Sequence, residues 1–144
     1  MSKSFRLSLI LAAVVVLLAV LVFNLLQQSD RTSSSARNQL YTDLLERSGI
    51  MNRDLPRLLD EQTRFERAEV VNYGMRFIYT LVRVDRFVHD EDAIEAEIYP
   101  QMLREYCQGE ALAFYRERAD FVEFRYLDQN ELGLFTLRFE PNDC

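Results

Sequence analysis

Residues 63–84 read TRFERAEVVNYGMRFIYTLVRV, with apolar side chains recurring at every second position on either side of Asn72-Tyr73-Gly74. A period of 2 belongs to a pleated strand, and an asparagine and a glycine between two such runs mark an antiparallel hairpin. Strands are therefore expected over 63–71 and 75–84. In the second run Met75, Phe77, Tyr79 and Leu81 point one way while Ile78, Val82 and Val84 point the other. Such a strand is either covered on both faces or meets the core on one face and a partner on the other. Arg64, Arg67, Arg76 and Arg83 alternate with these residues and give the hairpin a basic and aromatic outward face, a composition favoured at protein interfaces. The competing reading is a solvated face on which the arginines pair with Glu66 and Glu69.

The same alternation returns near the C-terminus. FVEFRYL (121–127) and LFTLRFE (134–140), joined through Asp128-Gln129-Asn130-Glu131, predict a second hairpin with Val122, Phe124 and Tyr126 beside Phe135, Leu137 and Phe139. Between the hairpins the period lengthens: Ile94, Ile98, Met102 and Tyr106 recur every fourth residue, behind an Asp90 suited to cap a helix and acidic residues suited to its first turn. Pro100 is expected to kink or divide that helix, and Gly109 separates it from a short one over 110–116. Upstream, 36–48 reads as an amphipathic helix capped by Ser34 or Ser35 and stopped by Gly49. Leu55-Pro56 then makes a rigid corner, followed by Asp60 and Thr63, which suit an Asx-type turn. That corner reads first as a structural entry to the sheet; the alternative is a ligand-contacting corner, with Asp60, Thr63 and Arg64 as its polar groups. Residues 36–144 thus form an α+β domain of about four antiparallel strands with helices on one face.

The run LSLILAAVVVLLAVLVFNLL (7–26) contains no charged residue. At 1.5 Å per residue it reaches about 30 Å, the thickness of a bilayer's hydrocarbon core. The expected organisation is a cytoplasmic N-terminus (1–6), a transmembrane helix (7–26), a polar tether QQSDRTSSS (27–35) and an extracytoplasmic domain (36–144). Lys3 and Arg6 lie closer to the span than Arg31 and Arg37, which favours the N-terminus in the cytoplasm. A cleaved signal peptide is the alternative, with small residues at Ser34-Ser35-Ala36, although the apolar run is longer than a signal core and ends well before them.

Residues 1–35 carry Lys3, Arg6 and Arg31 against Asp30, which leaves −8 on residues 36–144 out of a chain total of −6. An acidic domain is repelled by phosphate backbones and anionic headgroups, so nucleic-acid binding and basic-patch membrane binding are disfavoured, and a protein partner is expected. Cys107 and Cys144 are the only cysteines and His89 is the only histidine. The cysteines are either two reduced thiols or one disulfide closing a loop of about 36 residues, which restricts the unfolded chain by roughly 3–4 kcal/mol. Their spacing matches no zinc pattern. His89-Asp90-Glu91-Asp92 is the one meeting of a histidine with carboxylates; it lacks the ligand alternation of a calcium loop and reads as a helix start. The serines cluster in the tether and the glycines at 49, 74, 109 and 133 are isolated, so neither a hydrolase triad nor a phosphate loop is indicated. No catalytic residue, cofactor or metal ligand is expected.

The segment from Asn52 through Leu55-Pro56 and Asp60 to Thr63, the strand with Tyr79-Thr80-Leu81, Cys107 and the terminal Asp143-Cys144 resemble a group of small exported bacterial proteins of unknown function. Members share an N-x-x-L-P-x-x-x-D-x-x-T start, a Y-x-Y-T-L-like strand, and one cysteine in the middle helix with another at the C-terminus. The resemblance covers residues 50–144 and departs at Phe77, where the group often has tyrosine, and in the density of arginines on the first hairpin. It implies a bacterial, exported, disulfide-closed domain and supplies no activity. The expected protein is a single-pass component of the bacterial inner membrane with a periplasmic, noncatalytic domain that binds a protein or peptide as an accessory of an envelope assembly. Its expected interaction residues are Asp60, Thr63, Arg64, Arg67, Arg76 and Arg83. An immunity or inhibitor protein against an exported toxin is the alternative, and a hydrolase the third reading.

Overall fold

The computed structural model of the chain describes the backbone of residues 3–144 and the side chains of residues 15–23 and 33–144. They fall into two units divided between Asn38 and Gln39. Helix α1 (Lys3–Asn52) supplies the first unit and the opening segment of the second. Its backbone includes residues 27–35, where the sequence suggests an irregular tether. Serine and glutamine lose only about 0.5 kcal/mol each relative to alanine in a helix, so composition does not forbid this.

The expected transmembrane helix over 7–26, and with it the single-pass inner-membrane placement with a periplasmic domain, is corrected: among the described residues no helix is long and apolar enough to cross a membrane. Of that run only residues 15–23 have described side chains, whereas residues 7–14 and 24–26, like the N-terminal residues 1–6, lie outside them.

In the second unit, β1 (Arg57–Leu58), β2 (Thr63–Val71), β3 (Gly74–Leu81), β4 (Val122–Leu127) and β5 (Gly133–Phe139) form one sheet in sequence order. β1–β2, β2–β3 and β4–β5 pair antiparallel, and β3–β4 pair parallel. The expectation of about four antiparallel strands is corrected on both counts. A two-residue edge strand is added, pairing Arg57 with Phe65 and Leu58 with Arg64, and the sheet is mixed. Its parallel pair arises because the chain leaves β3, passes through α2 (Glu91–Gln108), a 3-10 turn (Glu110–Leu112) and α3 (Ala113–Arg118), and only then enters β4. That long crossover returns it in the original direction, as parallel pairing requires.

Strand alternation sends Phe65, Ala68, Phe77, Phe124, Leu137 and Phe139 to one face, where they pack with Leu40 and Leu44 of α1, Tyr106 of α2 and Tyr115 of α3. Facing rings run across the parallel pair, with Phe77 and Phe124 stacked at 5.6 Å between centroids. In the second hairpin Val122 pairs with Phe139 and Phe124 with Leu137, while the Tyr126 and Phe135 rings lie 5.0 Å apart. Gly74 opens β3 where a Cβ would lie 2.5 Å from the Phe121 ring, so the close approach of the buried Phe121 requires a glycine here.

Two helix ends differ from the sequence reading. α2 is not divided at Pro100, which stands exposed within it; the missing N–H costs one intrahelical bond, and the helix continues on either side. α1 does not stop at Gly49 but continues to Asn52. Its last turns are fastened to β2, because Ser48 Oγ donates to the Ala68 carbonyl at 2.7 Å and the Asn52 amide bonds both the N–H and the C=O of Ala68. These bonds outweigh the roughly 1 kcal/mol helix penalty of a glycine. The cis Leu55–Pro56 bond then turns the chain towards β1. A disulfide joins Cys107, near the end of α2, to Cys144, with Cα atoms 5.5 Å apart.

Candidate functional site

The aromatic face of the sheet is not fully covered by its helices. Two adjoining hollows of about 230 and 270 Å³ remain between the strands and α2, and they share Tyr79 and Met102. The floor centres on Tyr79, whose ring stacks on Phe65 at 4.8 Å and on Tyr126 at 5.5 Å. One wall is α2: Ile98, Met102 and Glu105 are spaced so as to share a helix face about 10 Å long. At one end Leu112 and Tyr115 close the groove beside Glu105; at the other Leu59, Asp60 and Thr63 line it beside Ile98 and Gln101.

Asp60 is held by the corner after β1. Its Oδ1 accepts the backbone N–H groups of Gln62 at 2.7 Å and Thr63 at 2.8 Å. The bond from Gln62, with help from Thr63, holds the Asp60 carboxyl below the ordinary aspartate range despite the opposing effect of burial. Burial pushes the Tyr79 hydroxyl well up, assisted by the nearby Tyr126 and Glu105, and burial does the same to Tyr126. Both phenols therefore stay protonated at neutral pH and present O–H donors within an apolar surface.

Of the six residues expected at an interaction surface, Asp60 and Thr63 line this groove and the four arginines do not. Arg64, Arg67 and Arg76 belong to the opposite face, since they pair in register with Thr80, Ile78 and Glu69 or Glu123 rather than with the Phe77–Tyr79 row. Each is engaged by a carboxylate: Arg64 with Glu66 and Arg67 with Glu69 at 2.6 Å, Arg76 with Glu123 at 2.7 Å. Glu123 also receives Arg138 at 3.3 Å, so one nearly buried carboxylate bridges β3 and β5. Arg83 lies beyond β3, 3.8 Å from Glu61.

His89 sits in the β3–α2 loop, where its Nδ1 lies 3.1 Å from the backbone N–H of Asp85. The loop is tied to the β4–β5 turn by the buried Asp128, whose carboxylate accepts N–H groups from Arg86, Asn130 and Leu132. At its tip Phe87 and Val88 are 80% and 78% exposed. Among the described residues no group of His, Cys, Asp and Glu side chains is arranged to hold a metal ion.

Sequence reasoning missed Tyr79, Met102, Glu105 and Tyr126 as site residues. The fourfold spacing of Ile98 and Met102 was visible, but it equally describes a helix stripe closed over the core. The incomplete burial of those two residues was the missing signal.

No protein-family model matches the chain and no curated protein sequence matches it. Three solved structures share its fold. A Pseudomonas aeruginosa protein assigned as secreted matches with a TM-score of 0.64 at 12% identity, over 76% of this chain and 96% of its own. The pilotin of the Vibrio vulnificus type 2 secretion system matches with a TM-score of 0.62 at 10% identity, over 77% and 96%. The type II secretion system pilotin of Vibrio cholerae matches with a TM-score of 0.61 at 8% identity, over 78% and 98%. At these identities the likeness is one of fold.

Proposed function

We propose that this chain is a noncatalytic accessory component of a bacterial envelope assembly, and that it binds a segment of a protein partner in the groove over Tyr79 and Met102. The observation that carries the reading is an open, aromatic-floored groove in a fold shared with two type II secretion pilotins. Aromatic side chains and methionine are the residue types enriched where proteins meet. Hollows of this size accept a few apolar side chains, as a peptide segment supplies, with Tyr79 and Tyr126 donating to its polar groups. Binding is favoured over catalysis because Asp60 and Glu105 stand at opposite ends of the groove and His89 lies in another loop. The Cys107–Cys144 disulfide suits an oxidising compartment.

The test places a photoreactive residue at Met102 of the full-length chain in the producing bacterium. The expected product is a covalent adduct with one protein of an envelope assembly, lost when the exposed groove-lip residue is changed by Ala111→Trp. An adduct with nucleic acid, or one unaffected by Ala111→Trp, overturns the reading.

A further inference from the structure

The two hollows contain Glu105 and Asp60 and no lysine, arginine or histidine. This is notable in a chain with 17 basic residues, several of which are committed to carboxylates on the other face of the sheet. Both groove carboxylates have unused accepting capacity. Asp60 directs Oδ1 to two backbone N–H groups and its carboxylate is also bonded by the Thr63 side chain, which fixes the position of an exposed charge. Glu105 is exposed at the Leu112–Tyr115 end and enters no ion pair among the described residues. Between the two charges lie Tyr79, Met102 and Ile98. The lining is therefore apolar in the middle and anionic at each end.

We infer that the groove selects a peptide segment of a protein partner whose central residues are apolar and whose flanks are basic, one cation meeting Glu105 and the other Asp60. The inference rests on the groove being the binding site proposed above, and it adds the charge pattern of the occupant. Charge complementarity decides against an acidic or uncharged segment. An acidic flank would meet a like charge at either end, and an uncharged one would leave both carboxylates without a counter-ion.

The experiment titrates the full-length chain with three labelled synthetic peptides of about three helical turns. They share one apolar core and carry lysine, glutamine or glutamate at both flanks. The lysine-flanked peptide is expected to bind about tenfold more tightly than the glutamate-flanked one, as two exposed ion pairs turned from attraction to repulsion allow. That preference is expected to shrink with added salt and to fall in the exposed, near-isosteric variants Glu105→Gln and Asp60→Asn. Ala111→Trp is expected to weaken all three peptides. Equal affinities, all weakened by Ala111→Trp, overturn the charge inference and leave the groove as the binding site. Binding unaffected by Ala111→Trp, or no binding by any of the three, overturns both.

Discussion

The Asn52 side chain closes a two-bond ring with the backbone of Ala68, accepting its N–H at 2.8 Å and donating to its C=O at 2.9 Å. A carboxamide used in this way imitates a neighbouring strand residue. It satisfies β2 at the point beyond which the two-residue β1 no longer covers it, so the end of α1 occupies an edge otherwise open to another chain. Asn52→Ala is expected to lower stability by about 1–3 kcal/mol, since it leaves a strand N–H without its partner. Asn52→Asp is expected to be worse at neutral pH, because a carboxylate keeps the acceptor but faces the Ala68 carbonyl with no proton to donate. Urea unfolding of the two variants checks both; an unchanged midpoint in Asn52→Ala would show that the Ala68 N–H finds another acceptor or water at no cost.

The disulfide makes a separate contribution. Cys107 and Cys144 are 37 residues apart in sequence, and chain-entropy arithmetic for such a loop gives roughly 3–4 kcal/mol. The double substitution Cys107→Ser with Cys144→Ser is expected to lose about that amount. Reduction of the native chain should lower its unfolding midpoint similarly, with no further effect of reductant on the double variant. A reductant effect that persists there would assign the loss to something other than this bond.

Acid should loosen the β3–α2 loop and the β1–β2 corner together. Asp128 is desolvated, which alone would raise its pKa, but backbone N–H groups from Leu132, Arg86 and Asn130 override this and lower it. Asp60 is lowered chiefly by Gln62. A carboxyl depressed in the folded state stabilises the fold above its unfolded pKa, and that stabilisation fades as pH falls through the folded value. Stability is therefore expected to be flat near neutrality with respect to these groups and to decline below about pH 4. Asp128→Asn should be less stable than wild type at pH 7 and show a shallower decline in acid. An equally steep decline would mean that other carboxylates govern the acid limb.

The residues behind these predictions were unequally legible in sequence. Strand alternation and the Asn72-Tyr73-Gly74 turn are local signals, and β2 falls at the expected residues. The pairing of β3 with β4 is not local: Arg76 finds Glu123 across 47 positions, and no period records which strands lie side by side. β1 has only Arg57 and Leu58 and therefore no period at all. At the groove, Asp60 and Thr63 were visible through the Asx-turn chemistry of their corner. Met102 and Glu105 were not, because the hollow beside them depends on how far α2 stands from the sheet, a tertiary property that a helical stripe leaves open.

Phe87 and Val88 offer a check on the rigidity of the β3–α2 loop. Their side chains are the most exposed large apolar groups among the described residues, yet the backbone beneath them is bonded throughout: Phe87 N–H to Asp85 Oδ1 at 2.9 Å, Val88 and His89 N–H to the Asp85 carbonyl at 3.1 and 2.9 Å. Removing the side chains takes no apolar surface out of the core, so Phe87→Ser and Val88→Ser should each change stability by less than about 0.5 kcal/mol. Asp85→Ala, by contrast, removes the carboxylate that accepts from Phe87 N–H and from the Gln129 amide, and should accelerate amide hydrogen exchange across residues 85–89. The pairing of results is diagnostic. A large loss in Phe87→Ser would mean that the phenyl ring is covered in solution, whereas unchanged exchange in Asp85→Ala would mean that the main-chain bonds to the Asp85 carbonyl hold the loop by themselves.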